Sequence, residues 1–425
     1  MGYYALLTTG YIGHLNPTGV LGRALMRRKH RVVMISPLDA EERIRRGGLE
    51  YLPICEVEFP KLEWERRAEL QGELTGFAAS RFVGKWLADC ARGFIRDLPR
   101  IIEREHFDGM VIDQICLGAE GVCEVMNMPM AVACNALALN PEWAVPPPTS
   151  HWLPGNSLFA KIRNALGYAF WNSTGLPVGL AVGKYRRQNK LGQMQPSHMN
   201  TMRPSLVQVA QQPAFFDFPR DYLPANFHFT GPWKEDAEST DDNFPWDKLD
   251  GRPLIYASLG TLQNRLDSLF RIIAEACAGL DAQLVLALGR KGTAAPEGLA
   301  GNPIVVDYAP QMDLLKAATL LITHGGLNTT LEGMREGLPM VAIPITNDQP
   351  GVSSRVQHLG IGERILLKDL TPEKLRAAVQ RVLTEPSYRE KAAKVAAEMK
   401  KIDGPAMAAE LIERAFVSKK PVLRR

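Results

Sequence analysis

The sequence lacks the features that mark a secreted, zinc-stapled or membrane-spanning protein. It has six cysteines, but no Cys-x-x-Cys pair and no cluster of cysteine and histidine with zinc-ligand spacing. No apolar run approaches the ~20 residues that a transmembrane helix needs. The N-terminus has no basic segment before its apolar run, which predicts a strand and not a signal peptide. These absences predict a reduced, cytoplasmic protein without a bound metal.

A strong charge of either sign is also missing. The net charge is +4 over 425 residues, which does not indicate a nucleic-acid partner. Hydrophobic residues make up 46% and charged residues 23%, the balance of an ordinary folded protein. A chain of this length is sufficient for two hydrophobic cores.

Short apolar runs alternate with amphipathic segments in both halves of the chain. The first half predicts strands at Tyr3–Thr9, Arg31–Ile35, Gly109–Ile112 and Pro129–Ala133, with helices such as Thr18–Arg28 and Phe82–Arg104. The second half predicts strands at Pro253–Ser258, Gln283–Leu288, Ile304–Asp307, Leu320–Thr323 and Met340–Ile343, with helices such as Asp267–Leu280 and Asn328–Glu336. Such alternation is typical of βαβ units in parallel sheets.

An acidic, proline-containing segment separates the two halves. Gly231–Arg252 has little apolar content, which predicts an exposed linker. We therefore predict an α/β protein with Rossmann-like domains at 1–230 and 253–400. A C-terminal helix that can pack back on the first domain, and a basic tail that we expect to fray, occupy 401–425. Ligands of open parallel sheets bind at the carboxyl ends of the strands, so two facing sheets would share a central cleft.

The most informative segment follows the predicted strand that ends at Thr323. It places His324, two glycines and the start of a helix together. The N–H groups and positive dipole of a helix N-terminus attract phosphate, and His324, Asn328 and Thr329 add donors. Glu332 lies one helical turn further on, where a carboxylate can accept from ribose hydroxyls. A plain strand–helix turn with a structural histidine is the simpler alternative, but the recurrence of suitable groups favours one ligand.

A candidate general base lies in the first half. His14 follows the first predicted strand, and histidine titrates near neutrality, as a base for a hydroxyl must. Asp113 ends a later strand at the same predicted sheet edge and could orient the imidazole. Asp108 is the rival carboxylate, but it precedes that strand and should face the opposite edge. From the spacing alone, a loop histidine and a helix-capping Asp113 are equally acceptable.

These residues resemble the signature box of family 1 glycosyltransferases, which include plant secondary-product and bacterial antibiotic and carotenoid glycosyltransferases. The matching residues are Tyr308-Ala309-Pro310-Gln311, His324, Gly326, Asn328, Thr329, Glu332 and Asp348-Gln349. A Ser-x-Gly-Thr turn is matched by Ser258, Gly260 and Thr261, and a Gly-His-x-x-Pro loop by Gly13, His14 and Pro17. The box looks most like that of the bacterial carotenoid branch, which contains zeaxanthin glucosyltransferases.

The resemblance implies a GT-B fold and an inverting, metal-independent transfer without a cofactor. The donor would be a UDP-sugar carrying a hexose, glucose by family association, and the acceptor a hydroxyl of an apolar molecule such as a carotenoid or polyketide. The implied donor contacts are Tyr308, Ala309 and Gln311 at uracil, Ser258, Gly260, Thr261, His324, Gly326, Asn328 and Thr329 at the diphosphate, Glu332 at ribose, and Asp348 and Gln349 at the sugar. His14 would deprotonate the acceptor, held by Asp113.

One region contains no acidic residue at all. From Trp143 to Phe216 there is no Asp or Glu, while basic, aliphatic and aromatic residues are frequent. The commoner explanation is the wall of an acceptor pocket with a solvated basic helix. The alternative is a peripheral contact of 151–190 with the inner face of a membrane. A sugar-nucleotide epimerase and a nucleotide-sugar-binding protein are competing functions, although neither needs an acceptor base.

Overall fold

The N-terminal half forms one parallel sheet. A computed structural model describes residues 1–192, 205–235, 244–262, 265–290 and 295–424. The strands of the first sheet are β1 (Tyr3–Leu7), β2 (Arg31–Ser36), β3 (Glu50–Pro53), β4 (Gly109–Asp113), β5 (Met130–Cys134), β6 (Val207–Ala210) and β7 (Phe227–Phe229). They pair in the order β3-β2-β1-β4-β5-β6-β7, and every pair is parallel.

Helices cover both faces of this sheet, so its central strands are almost continuously apolar. They are α1 (Ile12–Arg27), α2 (Glu41–Arg46), α3 (Glu63–Gly72), α4 (Gly76–Glu105), α5 (Ala119–Val125), α6 (Leu158–Thr174) and α7 (Leu176–Gln188). Helix α1 begins at Ile12, six residues before the predicted Thr18. His14 therefore lies in the first turn of a helix and not in a loop, which corrects the sequence-based placement.

The C-terminal half repeats the plan with a second parallel sheet. Its strands are β8 (Leu254–Ser258), β9 (Gln283–Ala287), β10 (Ile304–Val306), β11 (Leu320–Thr323), β12 (Met340–Ala342) and β13 (Gly362–Arg364), in the order β10-β9-β8-β11-β12-β13. Its helices are α8 (Asp267–Cys277), α9 (Gln311–Ala317), α10 (Leu327–Arg335), α11 (Gln349–Leu359), α12 (Pro372–Thr384), α13 (Pro386–Met399) and α14 (Gly404–Ser418). The predicted pair of Rossmann-like parallel sheets is confirmed.

In each sheet the strand order reverses at one point, between β1 and β4 and between β8 and β11. The loops that leave the two strands at such a point diverge to opposite faces of the sheet. The divergence opens a crevice outside the carboxyl ends of the strands. The two crevices are therefore the places where this topology builds ligand sites.

The segments that join and end the halves are partly buried. Trp233, which composition places in an exposed linker, packs in the core of the first sheet and donates its indole N–H to Thr230 Oγ1 at 2.9 Å. Residues 236–243, including the acidic pair at 241–242, lie outside the described residues. Helix α14 packs against α1, and Val422 N bonds Leu206 O at 2.9 Å. The described part of the tail is thus docked, contrary to the expectation of fraying. Among the helices described, none has the length and apolar character to cross a membrane.

Candidate active site

Both crevices open onto one cleft of about 820 Å³ between the sheets. His14 contributes to the wall from the first half, and Asp113 lies behind it. The sequence-predicted donor residues all border the cleft from the second half; they are Ser258, Gly260, Thr261, Tyr308, Ala309, Gln311, His324, Gly326, Asn328, Thr329, Glu332, Asp348 and Gln349. The structure thus brings the two predicted groups to a shared cavity, while their individual roles stay predictions.

The histidine and aspartate of the first half form a tight pair. His14 Nδ1 lies 2.7 Å from Asp113 Oδ2. The buried carboxylate also accepts from Thr8 Oγ1 at 2.9 Å, Asn135 Nδ2 at 3.0 Å and Ile115 N at 3.2 Å. These donors keep Asp113 ionised, so His14 Nδ1 is the atom that carries the hydrogen and Nε2 is left as the acceptor. Asp113 is therefore not a helix cap.

Electrostatic interactions within the pair favour the protonated form of His14. Burial disfavours the imidazolium, but the charge and hydrogen bond of Asp113 outweigh burial and raise the pKa of His14, with a smaller contribution from Asp348. Burial also works against the Asp113 carboxylate, yet His14 and the other donors lower its pKa. The rival Asp108 accepts from Tyr3 N at 2.8 Å, at the amino end of β4, away from the pair.

The turn after β11 is built around His324. A Cβ on Gly260 would lie 2.6 Å from His324 Cε1, and one on Gly326 would lie 2.5 Å from Nε2, so the ring fits only between two glycines. Gly325 has φ +78, a left-handed conformation that glycine adopts without strain. Burial lowers the pKa of His324 to about 4, although a hydrogen bond with the Ser258 backbone has a weaker effect in the opposite direction. The imidazole is therefore neutral at pH 7 and can serve as an uncharged N–H donor.

Glu332 on α10 holds two side chains together. Its carboxylate accepts from Gln311 Nε2 and pairs with Lys234 Nζ. Tyr256 donates from its hydroxyl to Gln311 Oε1 at 3.1 Å, which orients the amide. The predicted ribose site is thus a carboxylate flanked by an amide and a cation. Lys234 comes from the segment after β7, so this contact spans the cleft.

Tyr308 and the Ser258 turn complete the second-half wall. The Tyr308 side chain is about one-third exposed to the cleft, and burial raises the pKa of its hydroxyl against the opposing charge of Arg43 from α2. An aromatic face at this place can stack on a nucleobase. Ser258 Oγ accepts from Gly260 N at 3.3 Å and so holds the turn that faces His324.

Asp348 and Gln349 open α11 beside the first half. Asn347, directly before them, has φ +56, and Asp348 lines the cleft. Asp348 Oδ2 accepts from Leu137 N at 3.3 Å, and burial raises the pKa of this carboxyl. Gln349 Oε1 accepts from the backbone N–H groups of residues 345 and 346 at 2.9 Å each. The side-chain oxygen of Gln349 therefore holds the turn before α11 in place, and Asp348 contacts the first half.

Asn328 also forms a hydrogen bond across the cleft, to a backbone carbonyl that a proline leaves without its helical partner. Pro17 lies four residues beyond Gly13 in α1 and has no N–H, so the Gly13 carbonyl lacks its helical partner. Asn328 Nδ2 donates to that carbonyl at 2.8 Å. Gln211 Nε2 donates to Asn328 Oδ1 at 2.9 Å from the other side. The first turn of α10 is thereby fixed next to the helical turn that carries His14.

Four further residues of this site were missed by the sequence reasoning. Thr8 and Asn135 hold Asp113, and both directly follow strands of the first sheet, so a polar residue at a carboxyl strand end was the available signal. Gln211 follows β6 in the same way. Lys234 had no such signal, because it lies in a segment whose composition resembles a solvated linker.

Solved structures show the same architecture. The chain is similar to the glycotransferase of kitacinnamycin, with a TM-score of 0.75 and 24% identity, over 97% of this chain and 98% of that one. It is also similar to the calicheamicin glycosyltransferase CalG4, with a TM-score of 0.73 and 19% identity, over 99% of both chains. The fold is therefore GT-B.

Sequence comparisons also find glycosyltransferases. Zeaxanthin glucosyltransferase of Pantoea ananas is 30% identical over 427 residues, covering 100% of this chain and 98% of that protein. Demethyllactenocin mycarosyltransferase of Streptomyces fradiae is 28% identical over 440 residues, covering 97% of this chain and 86% of that protein. The protein is a glycosyltransferase, an enzyme that moves a sugar from a nucleotide-sugar donor to a hydroxyl acceptor. A model of the UDP-glucoronosyl and UDP-glucosyl transferase family matches residues 185–405, and the chain belongs to that family.

Proposed function

We propose that the enzyme transfers a hexose, most simply glucose, from a UDP-sugar to a hydroxyl of a lipophilic acceptor, with inversion at the anomeric carbon. One observation carries the proposal. The His14–Asp113 pair and the His324 turn border the same cleft, and Asn328 joins the two turns directly. The proposed base for the acceptor, His14, and the proposed diphosphate-binding turn at His324 therefore lie in the same cleft. A nucleotide-sugar epimerase or a binding protein would not use this acceptor base.

In the proposed reaction, His14 Nε2 takes the proton of the acceptor hydroxyl. The Nδ1–H stays on Asp113, which stabilises the imidazolium as it forms. The acceptor oxygen forms a bond to the anomeric carbon while the bond from that carbon to the diphosphate oxygen breaks. Attack and departure occur on opposite faces of the carbon, so an α-linked donor gives a β-glycoside.

The leaving diphosphate gains negative charge, and the turn after β11 is built to stabilise it. The N-terminus of α10 presents backbone N–H groups and the positive end of its dipole. Neutral His324 adds an N–H, and Thr329 in the first turn adds a hydroxyl. We propose that these groups serve the role that a divalent cation serves in other transferases. Transfer should then persist in excess chelator.

Donor identity rests on the second-half wall. Tyr308 would stack on uracil with Ala309 and Gln311 at its edge, and Glu332 would accept from both ribose hydroxyls while Lys234 stays paired with it. The ribose 2′-hydroxyl distinguishes a UDP-sugar from a TDP-sugar at this carboxylate. Asp348 and Gln349 would face the hexose hydroxyls. The zeaxanthin glucosyltransferase relatives support glucose and a lipophilic acceptor.

The acceptor end of the cleft is apolar. Val83 and Leu87 of α4, Val178 of α7 and Leu139 line the cleft from the first half, the half that also contributes His14. Such a wall binds a hydrocarbon body and leaves a terminal hydroxyl to meet the base. These contacts support a lipophilic alcohol over a sugar or a charged acceptor.

The test is a transfer assay with UDP-glucose and a panel of lipophilic alcohols, including hydroxylated carotenoids. UDP release and glycoside mass report transfer, and the anomeric coupling constant of the product reports inversion. UDP-galactose and TDP-glucose test the sugar and the base in parallel, and EDTA tests independence from a metal. Full-rate transfer by His14→Ala, or an α-glycoside product, would reject the mechanism.

A further inference from the structure

Helix α6 exposes its apolar residues instead of burying them. Leu158, Phe159, Ile162, Leu166 and Phe170 recur at helical spacing and form one face, which we call the apolar stripe. Phe159 is 76%, Leu166 67% and Phe170 60% exposed. The helices of a folded domain normally place such a stripe against the core. In α6 the stripe faces outward instead, and the described residues leave most of it uncovered.

The inner side of α6 explains why the helix does not rotate to bury the stripe. Only Ala160 and Asn164 are fully buried on it. Asn164 Nδ2 donates to Trp143 O at 2.9 Å, and Ser157 Oγ caps the helix by accepting from Ala160 N at 3.2 Å. Turning the stripe inward would move Asn164 away from Trp143 and leave the Trp143 carbonyl without this donor.

Neighbouring helices extend the apolar face. The ring of Phe77, at the start of α4, lies 5.9 Å from the ring of Phe170. Leu176 and Leu180 continue the exposed apolar surface along α7 and are followed one turn later by exposed Lys184. Contiguous apolar surface of this kind marks an interaction site in soluble proteins.

The segment that carries the stripe has charges of one sign only. Residues 143–216 contain no Asp or Glu. Lys184, Arg187 and Lys190 at the end of α7, and Arg81 and Lys85 on α4, are exposed and have no salt-bridge partner among the residues described. An apolar face bordered by unpaired cations is complementary to an anionic lipid surface. A second copy of the chain would instead place like charges opposite each other.

The same helices line the acceptor end of the cleft. Trp171, directly after Phe170, faces the cleft together with Thr174, Gly175 and Val178 at the α6–α7 turn. The stripe and the acceptor entrance are thus two sides of one helical hairpin. A molecule dissolved in a bilayer would meet this entrance first if the stripe rested on the lipid.

We propose that the apolar stripe and its flanking cations dock the enzyme on an anionic membrane surface, so that a membrane-dissolved acceptor enters the cleft beside the α6–α7 turn. This inference rests on the proposed lipophilic acceptor. The docking face itself is independent of the donor site and of His14. Binding to lipid and catalysis can therefore be measured separately.

The test is co-sedimentation of the full chain with vesicles of phosphatidylcholine alone or mixed with phosphatidylglycerol. We expect binding to the anionic vesicles that weakens with salt. The double variant Phe159→Glu, Leu166→Glu should lower the partition coefficient about tenfold or more. The control Val417→Glu alters a side chain that is 74% exposed on α14, far along the chain from the stripe, and should bind like the unaltered protein.

A second assay keeps the two proposals apart. Transfer to a short, water-soluble alcohol should be unchanged in the double variant, whereas transfer to a vesicle-dissolved acceptor should fall with its lipid binding. Absence of binding to anionic vesicles, or equal binding by the double variant, would overturn the docking proposal. A stripe-dependent dimer seen by light scattering, without lipid binding, would also overturn it. If the unaltered protein transfers sugar to neither acceptor, the proposed function is overturned and the docking proposal is not.

Discussion

Asp113→Asn tests the proposed base most directly. The substitution preserves shape but removes the charge that raises the pKa of His14, while the burial that lowers that pKa remains. The unaltered enzyme should lose activity as the pH falls through a His14 pKa above 6.5, because only the neutral imidazole accepts a proton. In the variant this acidic limb should move to lower pH, since the imidazolium is no longer stabilised.

The same change should lower the maximal rate. General-base catalysis contributes about 10²–10⁴-fold, or about 3–5 kcal/mol at 1.36 kcal/mol per tenfold. Asp113 stabilises the imidazolium from 2.7 Å, and the amide that replaces it would meet the existing donors Thr8 and Asn135. We therefore expect a loss of about 10²–10³-fold in kcat at saturating UDP-glucose, with little change in donor affinity.

The matched control is Asp108→Asn, which makes the same substitution at the opposite end of the same strand. Asp108 accepts from Tyr3 N at 2.8 Å on the surface, so its loss should leave the pH profile unaltered. Adding His14→Ala to Asp113→Asn should cost less than the two single losses combined, because the residues act as one unit. An acidic limb that stays in place in Asp113→Asn, or an equal loss in Asp108→Asn, would refute the reasoning.

Three other changes probe the second half and the contact between the halves. Gly326→Ala should displace His324 and weaken UDP binding about tenfold, the value of a charge-assisted hydrogen bond, which calorimetry can check. Lys234→Met removes the cation paired with the ribose-site carboxylate, and should raise KM for the donor severalfold while kcat is retained in steady-state assays. Arg355→Met leaves buried Asp217 with one arginine in place of two, and should cost about 3 kcal/mol in urea unfolding.

The central strands could be predicted from the sequence because a strand buried on both faces is a continuous apolar run. The edge strand β10 was also predicted, whereas the edge strands β3, β7 and β13 and the inner strand β6 were not. β3 begins with Glu50, β7 is the three residues Phe227–Phe229 with a histidine in the middle, and β13 is Gly362–Arg364. Short segments of mixed composition form strands because they pair with a neighbouring strand. The local sequence does not show that pairing. The early start of α1 was missed because Pro17 resembles a helix boundary.

The site was predictable for a topological reason. His14 follows β1 and Asp113 ends the adjacent strand β4 of a parallel sheet, and the carboxyl ends of such strands meet at one edge. No local sequence pattern indicates which residues contact each other across the cleft. Lys234 and Glu332 are 98 residues apart, and Gln211 and Asn328 are 117 apart. Their pairing depends on how the two halves pack, so only the structure shows it.

These cross-cleft contacts also constrain how a donor could bind. Three side chains predicted to face it already have partners in the first half, Asn328 on Gly13, Asp348 on Leu137 and Glu332 on Lys234. A carboxylate has about four acceptor positions and an amide nitrogen two N–H groups, so each can take a ligand and keep its partner. Donor binding therefore does not require the halves to separate. Asn328 donates one N–H to Gly13 O, in the helical turn that carries His14, and keeps a second N–H. Under the proposed function that second N–H would bind a phosphate, so the alignment of His14 with α10 and donor binding would depend on one hydrogen-bond network.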